Sequence, residues 1–225
     1  MIDDPHGHAP LLRAGPTGAS ARLAAIMLHG RGAGAESILA LGAQLGLVDV
    51  AMFAPEAAGR SWWPVSFLAP MRALEPWLGS ALAAVDRALD AAAEEGFADD
   101  RVALLGFSQG GCLALEHAAR RGRRVRAVYG LSAGLVGTAD GDEPASPELY
   151  GHAPKRFDYS ARLDGMPVHI GCHERDPHIP LRRVRESEAV LSSIGAACSV
   201  NIAPGSGHGL TAEDVRALRT GLLAG

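Results

Sequence analysis

Cysteine is scarce in this chain: three among 225 residues, Cys112, Cys172 and Cys198. An odd number without paired spacing excludes a disulfide framework as the organising device. All three have apolar neighbours, where cysteine behaves as a small buried hydrophobe. No apolar run is long enough to cross a bilayer, so integral membrane association is not expected. Met1 to Ala9 carries acids and histidines instead of a basic stretch followed by an apolar one, so no signal peptide is expected and a cytoplasmic location follows as the default. Excess positive charge is missing too. The net charge is -4, which removes nucleic acid as an expected partner. The densest basic run, Arg120, Arg121, Arg123, Arg124 and Arg126, falls at the end of a predicted helix; it reads as a solvated helix end, with an anion site as the alternative.

What is present is a globular composition, 48% hydrophobic and 20% charged. The length suits one α/β domain with a substantial core. Residues 1–20, rich in Gly, Pro and His, read as an N-terminal arm or an early edge strand, and residues 21–225 as a single domain. His6 and His8 read as part of a mobile tail, with metal binding as the alternative. Beyond them, short apolar runs alternate with longer helical patterns. Ala24–Leu28, Val50–Ala54, Val102–Gly106, Val125–Leu131, Val168–Cys172 and Ser199–Ala203 read as strands. Helices are predicted at about 36–47, 75–96, 109–121, 182–195 and 211–224. In the second of these, Leu78, Leu82, Val85 and Leu89 recur at intervals of three and four and share one face, and Gly96 suits the stop. Thr211 with Asp214 three residues on resembles the start signal of the last helix. Such alternation predicts a mostly parallel sheet covered on both faces. Ligands then bind outside the carboxyl ends of the strands. The stretch from Gly137 to Gly165 breaks the rhythm, and reads as a rim over the site or a surface excursion.

Chemistry is sought where the strands end. Gly106-Phe107-Ser108-Gln109-Gly110 lies between a predicted strand and a predicted helix, the context that a G-x-S-x-G nucleophile elbow requires. A strained turn pushes the serine hydroxyl out of the sheet, and small flanking residues let the backbone pass close by. Ser108 needs a base, because a free hydroxyl is a weak nucleophile. His208 follows one strand among glycines and is the candidate base; Asp176 follows another and is the candidate orienting acid, with Glu174 as its rival. Two backbone N–H groups must also face the developing oxyanion. One is assigned to Gln109, the other to Arg31 in the glycine-rich loop Leu28-His29-Gly30-Arg31-Gly32-Ala33-Gly34. His29, at the strand end, reads as a brace for that loop. Trp62, Trp63 and Phe67 line a substrate pocket or pack under a loop.

Taken together, Leu28-His29-Gly30, Phe53-Ala54-Pro55, Trp62-Trp63-Pro64, Gly106-Phe107-Ser108-Gln109-Gly110-Gly111, Asp176 and Gly207-His208 resemble the phospholipase/carboxylesterase branch of the α/β-hydrolases, from about Ala24 to Leu223. The resemblance implies an α/β-hydrolase fold without a large lid domain. It implies a triad of Ser108, Asp176 and His208, an oxyanion hole of the Arg31 and Gln109 amides, no cofactor and no metal. A homodimer is one oligomeric state it implies. The expected activity is a serine carboxylesterase acting on small or medium acyl esters through an acyl-enzyme on Ser108. Acyl thioesterase or lysophospholipase-like activity is the alternative. A dienelactone-type hydrolase ranks lower, because that group uses a Cys nucleophile and Cys112 lies one helical turn inward. The non-enzyme alternative is a catalytically silent ligand-binding scaffold. Two residues depart from the pattern. Arg31 stands where the eukaryotic thioesterases often carry Leu, and is read as favouring an anionic substrate or as a solvated charge. His178 adds a histidine beside the acid, and reads as loop packing in preference to catalysis.

Overall fold

A computed structural model describes residues 4–141 and 143–223. Its strands are β1 (Leu11–Ala14), β2 (Leu23–Leu28), β3 (Val50–Pro55), β4 (Val102–Phe107), β5 (Ala127–Leu131), β6 (Pro167–Arg175) and β7 (Ala197–Ser206). The helices are α1 (Ala35–Leu45), α2 (Met71–Leu74), α3 (Trp77–Glu94), α4 (Gln109–Arg121), α5 (Leu181–Ser193) and α6 (Ala212–Leu223). The strands form one sheet in the order β1-β3-β2-β4-β5-β6-β7. Only β1 runs antiparallel, pairing with β3; the other ladders are parallel.

The central strands are buried on both faces, so they read as continuous apolar runs. Their side chains still alternate. Ala24, Ile26 and Leu28 of β2 join a core with α3, α4 and α5, whereas Leu23, Ala25 and Met27 face α1 and α6. The face of α3 expected from periodicity, Leu78, Leu82, Val85 and Leu89, is the buried one. That helix begins at Trp77, after Pro76, and not at 75. A proline disfavours helical geometry in the residue before it, so the turn at Met71–Leu74 stands apart. Thr211 and Asp214 close the start of α6 reciprocally: the Asp214 N–H donates to Thr211 Oγ1 at 3.1 Å and the Thr211 N–H to Asp214 Oδ2 at 2.9 Å.

Three expectations change. Of the two readings for residues 1–20, an edge strand forms as β1, and His6 is no tail residue. Its ring is 1% exposed, its Nε2 donates to Trp62 O at 3.0 Å, and its Nδ1 accepts from the Ala58 N–H at 3.0 Å. A neutral imidazole fills both roles, which makes burial tolerable. The last two strands outrun their apolar cores, because the β6–β7 ladder continues through polar residues as far as Arg175 opposite Ser206. The Gly137–Gly165 stretch is no free excursion. Thr138 Oγ1 donates to Leu68 O at 2.7 Å, the Leu163 N–H to Ile194 O at 2.8 Å, and Tyr159 OH to the buried Glu116 carboxylate at 2.9 Å. Tyr150 OH, from the same stretch, holds the backbone carbonyl of Asp176. In the basic run, Arg120, Arg121, Arg123 and Arg124 are each paired with a carboxylate, which supports the solvated-helix-end reading.

Candidate active site

Ser108 occupies the sharp turn from β4 into α4, with φ 54° and ψ -120°. An L-residue holds such a conformation at a cost of about 1–3 kcal/mol, which the surroundings must supply. Here the Ser108 N–H donates to Leu131 O at 2.8 Å, and Ser108 O accepts from the Cys112 N–H at 2.9 Å. The elbow also depends on close backbone contact. A Cβ on Gly106 would lie 2.1 Å from Gly110 O, and one on Gly110 would lie 2.2 Å from Leu28 O. Any side chain at either position would force the turn apart.

The two partners expected from chain order arrive from adjacent strands. Asp176 is the first residue beyond β6, and His208 lies two beyond β7. His208 Nε2 is 2.8 Å from Ser108 Oγ, and His208 Nδ1 is 2.8 Å from Asp176 Oδ2 and 3.0 Å from Oδ1. The consistent arrangement has Nδ1–H donating to the carboxylate and Nε2 accepting from the hydroxyl. Asp176 is 1% exposed, and its Oδ1 also accepts from the N–H groups of His178 (2.8 Å) and Ile179 (3.0 Å). Burial pushes its carboxyl up, but the bonds from His208, His178 and Ile179 outweigh it and hold the group below the usual carboxylate range. The rival Glu174 is exposed and lies 3.3 Å from the Arg175 guanidinium. His208 is flanked by two rings: Phe107 with its centroid at 5.3 Å, and His178 edge-on at 4.8 Å. His178 therefore packs against the imidazole itself and lines the cavity, a placement the sequence had not indicated.

Ser108 opens into a cavity of about 540 Å³. Arg31 and Gln109 line it as well, so both loops expected to donate N–H groups meet there. The Gln109 N–H begins α4 and has no carbonyl below it in the helix. In the other loop, the Gly32 N–H is bonded to Arg60 O (2.8 Å) and the Ala33 N–H to Gly30 O (3.2 Å). No acceptor among the described residues holds the Arg31 N–H. His29 braces this loop as expected. Its Nδ1 donates to Gly30 O at 2.8 Å and its Nε2 accepts from the Ala57 N–H at 3.0 Å. Burial lowers its pKa, so the ring stays neutral and both bonds persist.

The expected pocket aromatics divide. Phe67 lines the cavity, but Trp62 and Trp63 do not; both are 0% exposed and belong to the core. They are buried because the side chain of Gln109 draws their loop onto the sheet. Gln109 Oε1 accepts from the Trp62 N–H at 2.9 Å, and its Nε2 donates to Trp63 O at 2.8 Å. The Trp62 indole N–H reaches His29 O at 2.9 Å. This clamp was missed from sequence; its one signal was an amide side chain at the start of a helix whose next six residues are glycine or apolar. Cys112 lines the cavity wall, yet burial pushes its thiol up to about 12, which keeps it protonated and poorly nucleophilic. That weighs against a cysteine-based hydrolase. Among the described residues no three His, Cys, Asp or Glu side chains are grouped to hold a metal ion. No helix among them is long and apolar enough to cross a membrane.

Comparison with known proteins agrees with this architecture. The sheet and its helices are those of the α/β-hydrolase fold, and the protein is a hydrolase of the carboxylesterase/thioesterase type. More narrowly, the chain belongs to the phospholipase/carboxylesterase family, whose sequence profile matches residues 17–223. A phospholipase/carboxylesterase from Dyadobacter fermentans is 31% identical over 96% of both chains, with a TM-score of 0.83. A Bacillus cereus carboxylesterase, 15% identical, covers 96% of this chain and 94% of its own with a TM-score of 0.71. A carboxylesterase from Mesorhizobium loti, 20% identical, covers 91% and 90% with a TM-score of 0.65. At that identity the last two speak for the fold alone. No curated relative matches the chain by sequence.

Proposed function

We propose that the protein is a serine carboxylesterase that hydrolyses small or medium acyl esters, with Ser108 as nucleophile, His208 as general base and Asp176 as orienting acid. The observation carrying this reading is the unbroken hydrogen-bonded chain from Asp176 through His208 to Ser108 Oγ at the wall of a cavity. His208 Nε2 takes the hydroxyl proton as Oγ attacks the ester carbonyl carbon. The carbonyl oxygen gathers negative charge, which the N–H groups of Arg31 and Gln109 and the positive pole of α4 stabilise. Asp176, kept ionised, stabilises the imidazolium. His208 then gives its proton to the departing alcohol, leaving Ser108 acylated. Water, deprotonated by the same imidazole, releases the carboxylic acid and restores the hydroxyl. A cavity of about 540 Å³ is in the range that takes a small ligand, which supports short and medium acyl groups.

The test is hydrolysis of a p-nitrophenyl ester series, with acyl thioesters of the same chains alongside. Ser108→Ala is expected to abolish turnover, and a fluorophosphonate probe to label Ser108 alone. Retained turnover in that variant, or a label on another residue, overturns the assignment. Higher kcat/KM across the thioester series would move the reading to a thioesterase.

A further inference from the structure

We infer that the Arg31 guanidinium makes this cavity selective for esters that carry a second, free carboxylate. The inference rests on the proposed reaction at Ser108 and adds its substrate class.

The charge around the cavity is one-sided. Its wall includes the Arg31 guanidinium, and among the described residues no Asp or Glu side chain lines it. Asp176 is turned away behind His208, with both oxygens engaged. The positive pole of α4 also points there from Gln109 onward. A carboxylate entering this space meets the Arg31 cation and the helix pole directly, while the Asp176 charge is set back behind His208.

Arg31 is also placed unlike Arg60, whose carbonyl holds the same loop at Gly32 and whose guanidinium has Glu56 at 3.8 Å. Among the described residues no carboxylate is paired with Arg31. Its guanidinium instead donates to Val65 O. The next two residues, Ser66 and Phe67, line the cavity, so that bond holds the charged head at the cavity mouth, where Arg31 stays open to solvent on its other side. A guanidinium offers five N–H donors in a rigid fork matched to a carboxylate, and Val65 O occupies one. Partial burial lowers the Arg31 pKa, as expected for a cation drawn against the protein without a counter-charge. A carboxylate on the substrate would supply that counter-charge through a charge-assisted, forked pair.

The chemistry is unchanged: water is added across the ester, giving the alcohol and the acid, while the free carboxylate takes no part in bond making. It can sit on the acyl half or on the leaving half, and two substrate pairs separate these sources. Monomethyl succinate is compared with methyl 4-methylpentanoate, and 4-acetoxybenzoate with 4-isopropylphenyl acetate. In each pair a carboxylate replaces an isopropyl group of similar shape. The quantity read is the ratio of kcat/KM, anionic ester over neutral ester, on one enzyme preparation, so a loss of folded or active protein cancels. In Arg31→Leu this ratio is expected to fall in at least one pair by about tenfold or more, the size of a charge-assisted contact, and through KM. Arg31→Lys is expected to restore part of it. A smaller fall in both pairs, with the neutral esters still hydrolysed by the parent enzyme, overturns the selectivity and leaves the hydrolase reading standing. No turnover of any of the four esters and no probe label on Ser108 overturns both.

Discussion

At the carboxyl ends of β4, β6 and β7, Ser108, His208 and Asp176 are joined by hydrogen bonds of 2.8 Å. Deeper in the same sheet a second set of the same three residue types is joined as well: Ser199 Oγ lies 3.0 Å from His169 Nδ1, and His169 Nε2 lies 3.0 Å from Asp214 Oδ1. The two chains differ in their settings. Ser199 is in the regular ladder of β7, directly opposite His169 of β6, with no strained turn and no helix start behind it. Asp214 has other duties: it also accepts from the Thr211 N–H (2.9 Å), Thr211 Oγ1 (2.8 Å) and Asn201 Nδ2 (3.1 Å), and so ties α6 to the sheet. Gly171 makes room for it, since a Cβ there would lie 2.1 Å from Asp214 Oδ1. The lesson is that a hydrogen-bonded Ser–His–Asp set is also an ordinary way to satisfy buried polar groups. What sets the first chain apart is the elbow, the unbonded amides beside it, and its position where the strands stop.

That contrast is open to direct attack. The largest expected effect is on turnover. Ser108→Ala should lower kcat/KM by about 10⁴-fold or more, while Ser199→Ala stays within about twofold of the parent. Equal losses in both would erase the distinction. The two aspartates come next. Asp176→Asn should cost about 10⁴-fold in kcat by upsetting the imidazole tautomer. Asp214→Asn should leave kcat nearly intact and instead lower stability by about 1 kcal/mol as the α6 cap weakens, read as a lower melting temperature.

A smaller change is expected from Gln109→Ala, which keeps the main-chain N–H but strips the clamp from Trp62 and Trp63. Leaving those buried groups unpaired should cost about 1–3 kcal/mol, measured by urea denaturation. The least effect concerns acid. Asp176 and Asp214 are both held below the usual carboxylate range; for Asp214, burial pushes up but bonds from His169, Thr211 and Asn201 outweigh it. A carboxyl with a lowered folded pKa contributes stability that is full above its unfolded pKa of about 3.9 and lost as pH falls through the folded value. Urea titrations below pH 4 should therefore show a shallower loss in Asp214→Asn than in the parent. An unchanged slope would mean that Asp214 contributes nothing to acid unfolding.

Much of this architecture can be read along the chain because it is local. The apolar runs of β2, β3 and β4, the spacing of Leu78, Leu82, Val85 and Leu89, the cap signal of Thr211 with Asp214, and the glycines around Ser108 each act over a few residues. Strand order and chain order then limit which acid and which histidine can reach Ser108. Readings that needed distant partners fared less well. His6 looked like a tail residue, because nothing near it in sequence announces Trp62 or Ala58. Trp62 and Trp63 looked equally suited to a pocket or a core, because the clamp that decides the matter comes from Gln109, 47 positions away from Trp62. The ends of β6 and β7 were cut short, because a paired strand continues through polar residues that periodicity alone assigns to a loop.

The amino-acid order alone was thus enough for the fold class, the elbow and the residues that meet there, since these follow from short-range sterics and from the right order of strands. The folded chain added the settings of the two acids, Asp176 buried against His208 and its rival Glu174 exposed beside Arg175. It alone turned the tryptophans inward, set His178 against the His208 ring, and brought the Arg31 guanidinium to the cavity mouth on the Val65 carbonyl. The physical reason is common to all of them. Burial and hydrogen-bond partnership depend on which groups far apart in sequence come within a few ångströms, and no local pattern encodes that.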